Sequence, residues 1–551
     1  MTMNRAAVSV IGLFLFIYIL PLGVRPMTVP DESRYSEIPR EMLASGEWVV
    51  PHLNGVLYFE KPVLGYWINA LSISLLGENA FAVRLPSALA VGISALLIFL
   101  LMRGLRGGSQ AGILAAAAFL TCLQVSALGA INLLDSMFSM FLTGAMVSFF
   151  RAHMAGTPLK RNGFLALFGA LCGLAFLVKG FLAFAVPVVT IVPFMLWEKQ
   201  GKRLFTIPWI PLLTALGVAL PWCVMIHLRE GDFWNYFFWN QHISRFISPL
   251  AGQHPKPFWY FIPVLFAGAL PWMALVPAII SGARRTRSSD PLIRFAICWF
   301  LFPFIFFSIS SGKLIPYILP CFPPLIVLMT VSLLDYFDAG KQKAFRICAA
   351  CLALLLGILG VLLMVSQVTE LFGPGPYGKA EMWKSVLGGL SLLFWGLILS
   401  FSARATGPKK RLALYCAAPL LFLFIGSFII PDRVMERRAP ERLLLRNADR
   451  VHSDTLLVSD EYLVHAVCWF YKRDNVSLLE KGGELTYGLK HNDSLHPRLL
   501  TVKGLDAIIG GTSGGHGIAL ITELGRYEKI KDLLPKPRFE DIDAGFVFLV
   551  F

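Results

Sequence analysis

The residues best suited to chemistry gather near the start of the chain. Residues 31–42 read DESRYSEIPREM and residues 57–67 read LYFEKPVLGYW. Asp31, Glu32, Glu37, Glu41, Glu47, Glu60 and Glu78 all fall between positions 25 and 80, whereas the rest of the first two-thirds is nearly all apolar. Polar groups beside a bilayer are costly unless paired or functional, so this interval is where chemistry is expected. Asp31 and Glu32 could serve only as a helix cap, because an acidic start suits a helix N-terminus. A cap needs one carboxylate, and the acidic theme returns at Glu60. Pro62 pushes Lys61 toward an extended conformation, so Glu60 and Lys61 need not neutralise each other. Tyr58, Phe59, Tyr66 and Trp67 read as interfacial aromatics of an anchor lying on the membrane, which leaves Glu60 unexplained.

Further candidates are spread along the apolar region. Asp135 follows Asn132 at the start of an apolar run, where a carboxylate at membrane depth costs about 2.5–3.5 kcal/mol on insertion scales; it either caps that run or adds a third acid. Lys179 interrupts LAFLVKGFLAFAVP, and Lys313 stands in SSGKLIPY with Tyr317 one turn further on. Snorkelling is the structural account of such cations; anionic phosphate is the functional one. The aromatic loop around residues 229–249 holds His242 and Arg245. A lone His is usually structural, and as a zinc ligand it would need a carboxylate such as Glu60. Residues 510–517, GGTSGGHG, lack the Lys–Ser/Thr ending of a phosphate loop and read as an ordinary turn.

The elements that must hold these residues are mostly membrane helices. The 551 residues are 56% hydrophobic and 15% charged, with formal net charge +15, far fewer charges than the quarter typical of soluble domains. Apolar runs of spanning length recur near 6–24, 82–102, 111–130, 134–150, 163–179, 181–197, 207–227, 259–281, 292–309, 316–335, 345–366, 385–402 and 411–430. The fold class expected is mostly α: a polytopic membrane protein of about thirteen helices. The first run is followed by no small-residue cleavage site and reads as a retained helix. Lys and Arg gather in alternate loops, which by the positive-inside rule puts the N-terminus in the cytoplasm and the acidic loop and C-terminus on the outer face. This distribution explains the basic balance better than nucleic acid, which is not expected as a partner. Of nine Cys only Cys468 lies outside the apolar runs, which excludes both an intramolecular disulfide and a CxxC zinc site in the C-terminal region.

The chain divides into a membrane domain over 1–431, with an amphipathic first loop at 25–80, and a soluble domain over 432–551. In the latter TLLVSD, NVSLLE, DAIIG, GIALITE and GFVFLVF read as short strands and EYLVHAVCWFYK as a helix, giving a small α/β domain on the periplasmic side.

Taken together, DESRY, YFEKP, GYWIN, LLD, VKGFLA, the aromatic loop with His242 and Arg245, and SGKLIPY resemble the lipid A aminoarabinose transferases, membrane glycosyltransferases of GT-C type. The resemblance runs over about residues 10–330. It implies an undecaprenyl-phosphate-linked aminoarabinose donor, a lipid A phosphate as acceptor at the outer face of a bacterial inner membrane, and lowered sensitivity to polymyxin and other cationic peptides. It implies Asp31 as the main catalytic carboxylate, with Asp135 and Glu60 as further acids. Glu60 and His242 become a metal-contacting pair, with zinc as the implied cofactor and no nucleotide. Lys61, Tyr58, Arg245, Lys179, Lys313 and Tyr317 line the donor site. The Pro of the family pattern is displaced by one position in GKLIPY. A monomer is expected. Two alternatives stay open: a related polyprenyl-phosphate-sugar transferase with another sugar or a protein or glycan acceptor, and a lipid transporter, which would place polar groups at the bilayer midplane.

Overall fold

The computed structural model describes residues 3–106, 108–244, 254–286, 289–369, 375–491, 498–511 and 517–551. Helices occupy every one of the thirteen apolar segments. Among the described residues seven helices are long and apolar enough to cross a membrane on their own. The number rises to nine if the bent pairs Gly108–Leu120 with Leu123–Gly129 and Phe258–Gly268 with Trp272–Ala283 each count as one span. Shorter apolar helices occupy 5–19 and 182–197. The protein is a multi-pass helical membrane protein. Two compact units emerge, one of residues 1–22, 84–375 and 383–429, the other of 23–83, 376–382 and 430–551.

The membrane unit has two chemically different ends. Helix Ile315–Asp338 carries Tyr317 at its start and Asp335 near its finish. At the Asp335 end, Arg106 donates to Asp335 at 3.2 Å and to Asp290 at 2.9 Å, Thr286 donates to Asp335, and Arg294 pairs with Glu198 at 3.1 Å. These residues belong to the loops whose cations alternate along the sequence. Backbone satisfaction inside each helix is what lets so apolar a chain cross lipid, and the charges left over settle at the ends, where they find one another.

The second unit joins the first loop to the C-terminal region. Four parallel strands, β3 (Leu456–Ser459), β4 (Ser477–Leu479), β5 (Leu499–Leu500) and β6 (Ile518–Glu523), meet the antiparallel β7 (Phe539–Asp543) and β8 (Phe546–Val550) in the order β5-β4-β3-β6-β8-β7. Leu456 pairs with Ile518 and Ile521 with Phe548. Central strands covered on both faces read as unbroken apolar runs, and IALIT and FVFLV do so. The DAIIG segment is a correction: it lies in helix Val502–Gly511, not in a strand. Val502 and Leu505 are its buried contacts, a helical spacing that a short apolar run cannot reveal by itself.

The loop contributes helix Asp31–Ser45, the hairpin of β1 (His52–Leu53) and β2 (Val56–Leu57), and helix Leu64–Leu76. Asn54 and Gly55 both have positive φ, the Asn-Gly signature of a tight two-residue turn. The Glu41 carboxylate accepts from both turn amides, at 2.6 and 3.0 Å. Asn54 then exchanges two hydrogen bonds with the backbone of Val476, at 2.7 and 2.9 Å. The acidic loop is thereby stitched to the sheet 422 residues further along the chain.

Candidate active site

Most of the loop carboxylates have structural employment. Glu32 is fully buried, takes a two-pronged pair from Arg25 at 2.9 and 3.0 Å and accepts from Thr28. Glu37 holds Arg40 in the same manner at 2.6 and 2.7 Å. Glu41 serves the hairpin turn, and Glu47 accepts from the amides of Val49 and Val50. Buried charges persist only where paired or hydrogen-bonded: Glu32 and Glu37 have their arginines and buried Glu41 its two amides, while half-buried Glu47 is held by backbone amides.

Asp31 differs. Its side chain is 52% exposed, and it opens the helix with Arg34 one turn later. The Arg34 guanidinium bridges two carboxylates, Asp31 through Nη2 and Glu484 through Nη1. Tyr58 donates its hydroxyl to the same Glu484 oxygen at 2.9 Å, and the guanidinium carbon lies 4.8 Å from the centre of the Tyr35 ring. His465, 3% exposed on helix Val464–Tyr471, is close enough to Arg34 and Glu484 to feel both charges. Its Nδ1 has no hydrogen-bond partner among the described residues. Burial alone would raise the Glu484 carboxyl; Arg34 foremost, then His465 and Tyr58, outweigh it and hold the group at about 2. Burial, reinforced by Arg34, pushes the His465 imidazole down to about 3. Two carboxylates against one guanidinium leave the cluster with a net negative charge, displayed at Asp31.

Glu60 belongs to the same neighbourhood. It is 5% exposed, and its charge is felt by the buried hydroxyls of Tyr58 and Tyr66, whose pKa values are raised first by burial. Lys61 folds back to donate to the Glu60 carbonyl at 2.9 Å. The expected interfacial role of Tyr58, Phe59 and Tyr66 is overturned: all three are buried. Tyr58 holds Glu484, Phe59 packs on Tyr487 at 5.3 Å, and Tyr66 faces Tyr35 at 6.4 Å. A helical stretch rich in aromatics looks the same whether it meets lipid or a protein core, and here the α/β domain supplies the core.

A second cluster lies in the membrane unit. Asp135 sits in the first turn of helix Leu134–His153. Lys179 ends helix Pro158–Lys179, just before Gly180 with φ +81°. Lys179 Nζ meets Asp135 Oδ1 at 2.5 Å and lies 4.8 Å from the Tyr317 ring centre and 5.8 Å from that of Phe138. Thus Asp135, Lys179 and Tyr317, distant in sequence, converge. Lys313 is 3% exposed, and its ammonium donates to the carbonyls of Lys256 and Ser310, so two of its three donors are committed to loop backbone. Arg245 and the side chain of His242 lie outside the described residues, as does most of the 510–517 segment. Sequence reasoning missed Arg34, Glu484 and His465. Arg34 stands inside DESRY itself, but Glu484 and His465 carry no local signal.

A relative from Aeromonas hydrophila subsp. hydrophila, an undecaprenyl phosphate-alpha-4-amino-4-deoxy-L-arabinose arabinosyl transferase, is 38% identical over 90% of this chain and 89% of its own. The chain belongs to that family of arabinosyl transferases. The Yersinia enterocolitica member is 36% identical over 95% of this chain and 94% of its own. Within this arabinosyl transferase, residues 3–237 match the dolichyl-phosphate-mannose-protein mannosyltransferase family model and residues 435–550 match the C-terminal domain of arabinosyl transferase ArnT. The crystal structure of ArnT from Cupriavidus metallidurans bound to undecaprenyl phosphate is 21% identical, with a TM-score of 0.83 over 100% of this chain and 98% of that one; the two share a fold. Structural zinc takes four protein ligands and catalytic zinc three. Among the described residues, which leave out the His242 side chain, no three His, Cys, Asp or Glu side chains are grouped to hold a metal.

Proposed function

We propose that this arabinosyl transferase moves 4-amino-4-deoxy-L-arabinose from undecaprenyl phosphate to a phosphate of lipid A. Transfer takes place at the outer face of the bacterial inner membrane, with the N-terminus cytoplasmic and the α/β domain periplasmic. The observation that carries this reading is Asp31, the exposed carboxylate of a buried cluster that keeps a net negative charge, in a chain 38% identical to a named transferase of that donor.

In the proposed reaction an anionic oxygen of the acceptor phosphate attacks the anomeric carbon. The bond from that carbon to the undecaprenyl phosphate oxygen breaks, and the electron pair leaves with the phosphate. Neither a general acid nor a strong base is required, because the nucleophile is already ionised and the leaving group is stable as an anion. Catalysis is then positioning and electrostatics. Asp31 faces the positive charge that develops on the sugar ring, and Arg34, Glu484 and Tyr58 fix its orientation. The resemblance assigns the donor phosphate to Lys61 and Arg245. One direct displacement inverts the anomeric centre. Mass spectrometry of lipid A from a null strain with and without this gene tests the transfer. The sugar linkage in the product tests inversion, and a retained configuration rules it out. The resemblance also assigns zinc to Glu60 and His242; elemental analysis of the purified wild type and Glu60→Gln proteins reads that assignment separately.

A further inference from the structure

We infer that the membrane unit holds an anionic glycerophospholipid in a groove between helices Lys343–Thr369 and Met382–Arg404, at the end of the bundle away from Tyr317. The two helices touch through backbone. A Cβ added at Gly360 would meet the Gly389 carbonyl at 2.8 Å, and one at Gly396 the Ala353 carbonyl at 2.8 Å. Small residues allow such close approach in membranes. Where they line the seam, the longer side chains Leu354, Ile358, Leu362 and Leu397 stand up on either side, each 41–67% exposed. The channel between them encloses about 1290 Å³, above the roughly 300–1,000 Å³ of sites for drug-sized molecules, and its run from Lys343 to Leu362 is about 28 Å long.

The groove is apolar along its length and cationic at one end. Lys343 and Arg346 lie in the first turn of one helix and Arg404 closes the other. None of the three forms an ion pair among the described residues, and no acidic residue lines the groove. An ammonium and a guanidinium at a helix N-terminus, joined by a second guanidinium at the end of the neighbouring helix, suit a phosphate. Basic pockets between membrane helices are where acidic lipid headgroups settle. Lys341, two residues earlier, donates to Ser281 at 2.9 Å, and Thr286 of the adjoining loop donates to Asp335. The cationic end of the groove therefore shares its membrane face with the Arg106 ion pairs. In the proposed orientation this is the cytoplasmic leaflet, opposite to the transfer chemistry. The occupant is accordingly a resident phospholipid and not the sugar donor.

The test uses the purified full-length protein in detergent, with native mass spectrometry and thermal melting as readouts. Cardiolipin, phosphatidylglycerol, phosphatidylethanolamine and undecaprenyl phosphate are added in turn. Cardiolipin and phosphatidylglycerol should be retained and raise the melting temperature, phosphatidylethanolamine should do neither, and the Lys343→Gln/Arg346→Gln/Arg404→Gln protein should bind the anionic lipids at least about tenfold more weakly. Leu397→Trp, which fills the groove and leaves the cations in place, should also release them, and guards against misfolding of the triple variant. Equal retention of phosphatidylethanolamine, preference for undecaprenyl phosphate, or full binding by both variants overturns the inference. None of these readouts depends on sugar transfer.

Discussion

The two carboxylate clusters use the same parts to different ends. In the membrane unit Asp135 faces one cation, Lys179, and both side chains are nearly buried, at 14% and 10% exposure. The pair is closed: one charge of each sign, with Tyr317 and Phe138 over the ammonium. In the second unit Arg34 is shared by two carboxylates, so the cluster is open, with Asp31 displaying a charge that is only half matched. A closed pair in lipid answers the cost of burying charge. An open one supplies a field to whatever binds beside it. The difference assigns stability chiefly to Asp135 and Lys179 and chemistry chiefly to Asp31.

The sharpest break of that contrast is Asp31→Asn. The side chain keeps its shape and loses its charge, and transfer should fall roughly a hundredfold or more with the melting temperature little changed, because the residue is half exposed. Lipid A mass spectrometry and in-membrane melting read the two effects. An active variant would remove Asp31 from the reaction.

Next in size is Lys179→Met, which strands Asp135 in a buried site. Removing one partner of such a pair costs about 3–5 kcal/mol, visible as lost expression and a lowered melting temperature. Asp135→Asn/Lys179→Met should recover much of that loss, since no lone charge remains. If the double variant is well folded yet inert, Asp135 or Lys179 also touches the substrate; if transfer returns with stability, the pair is structural.

Glu484→Gln converts the open cluster into a closed one. The amide oxygen can still accept from Tyr58, but Arg34 is left with Asp31 alone. Stability should fall by about 1–3 kcal/mol. Transfer should drop by roughly tenfold through the quenched field at Asp31, with kcat affected more than KM. A change confined to KM would instead tie Glu484 to substrate binding.

How much of this was legible follows from contrast against background. Asp135 and Lys179 stand out because an ionisable residue in an apolar run is costly, and Asp31 because it opens an acid-rich interval in an otherwise apolar region; the structure brings Asp135 and Lys179 together from separate helices. The thirteen helical segments were legible for the same reason. Glu484 was not, because a carboxylate in a polar segment is unremarkable and its partner Arg34 lies 450 positions away. His465 was hidden by its neighbours in EYLVHAVCWFYK, where one imidazole on a helix is most often a core residue. The burial of Tyr58, Phe59 and Tyr66 was misread because amphipathicity reports that a face is covered, not what covers it. DAIIG failed for want of length: five residues carry too little periodicity to separate strand from helix.

The smallest effect expected is a pH slope. His465 titrates at about 3 in the folded protein against 6.5 unfolded. Between those values the unfolded chain binds the extra proton, so this residue makes stability rise with pH and fall on acidification. Its share can reach about 1.4 kcal/mol for each pH unit. The Glu484 contribution runs the same way but is lost only as pH falls from 4.5 toward 2. From pH 6.5 to 4.5 the Glu484 contribution is constant, and the difference between wild type and a His465 variant reads the histidine. Melting curves of wild type and His465→Asn across that window should converge at the acid end, because the Asn variant has no proton to gain on unfolding. Parallel curves would mean that His465 is already protonated in the native cluster. Arg34 would then share its two carboxylates with a second cation, and the open cluster would be closed after all.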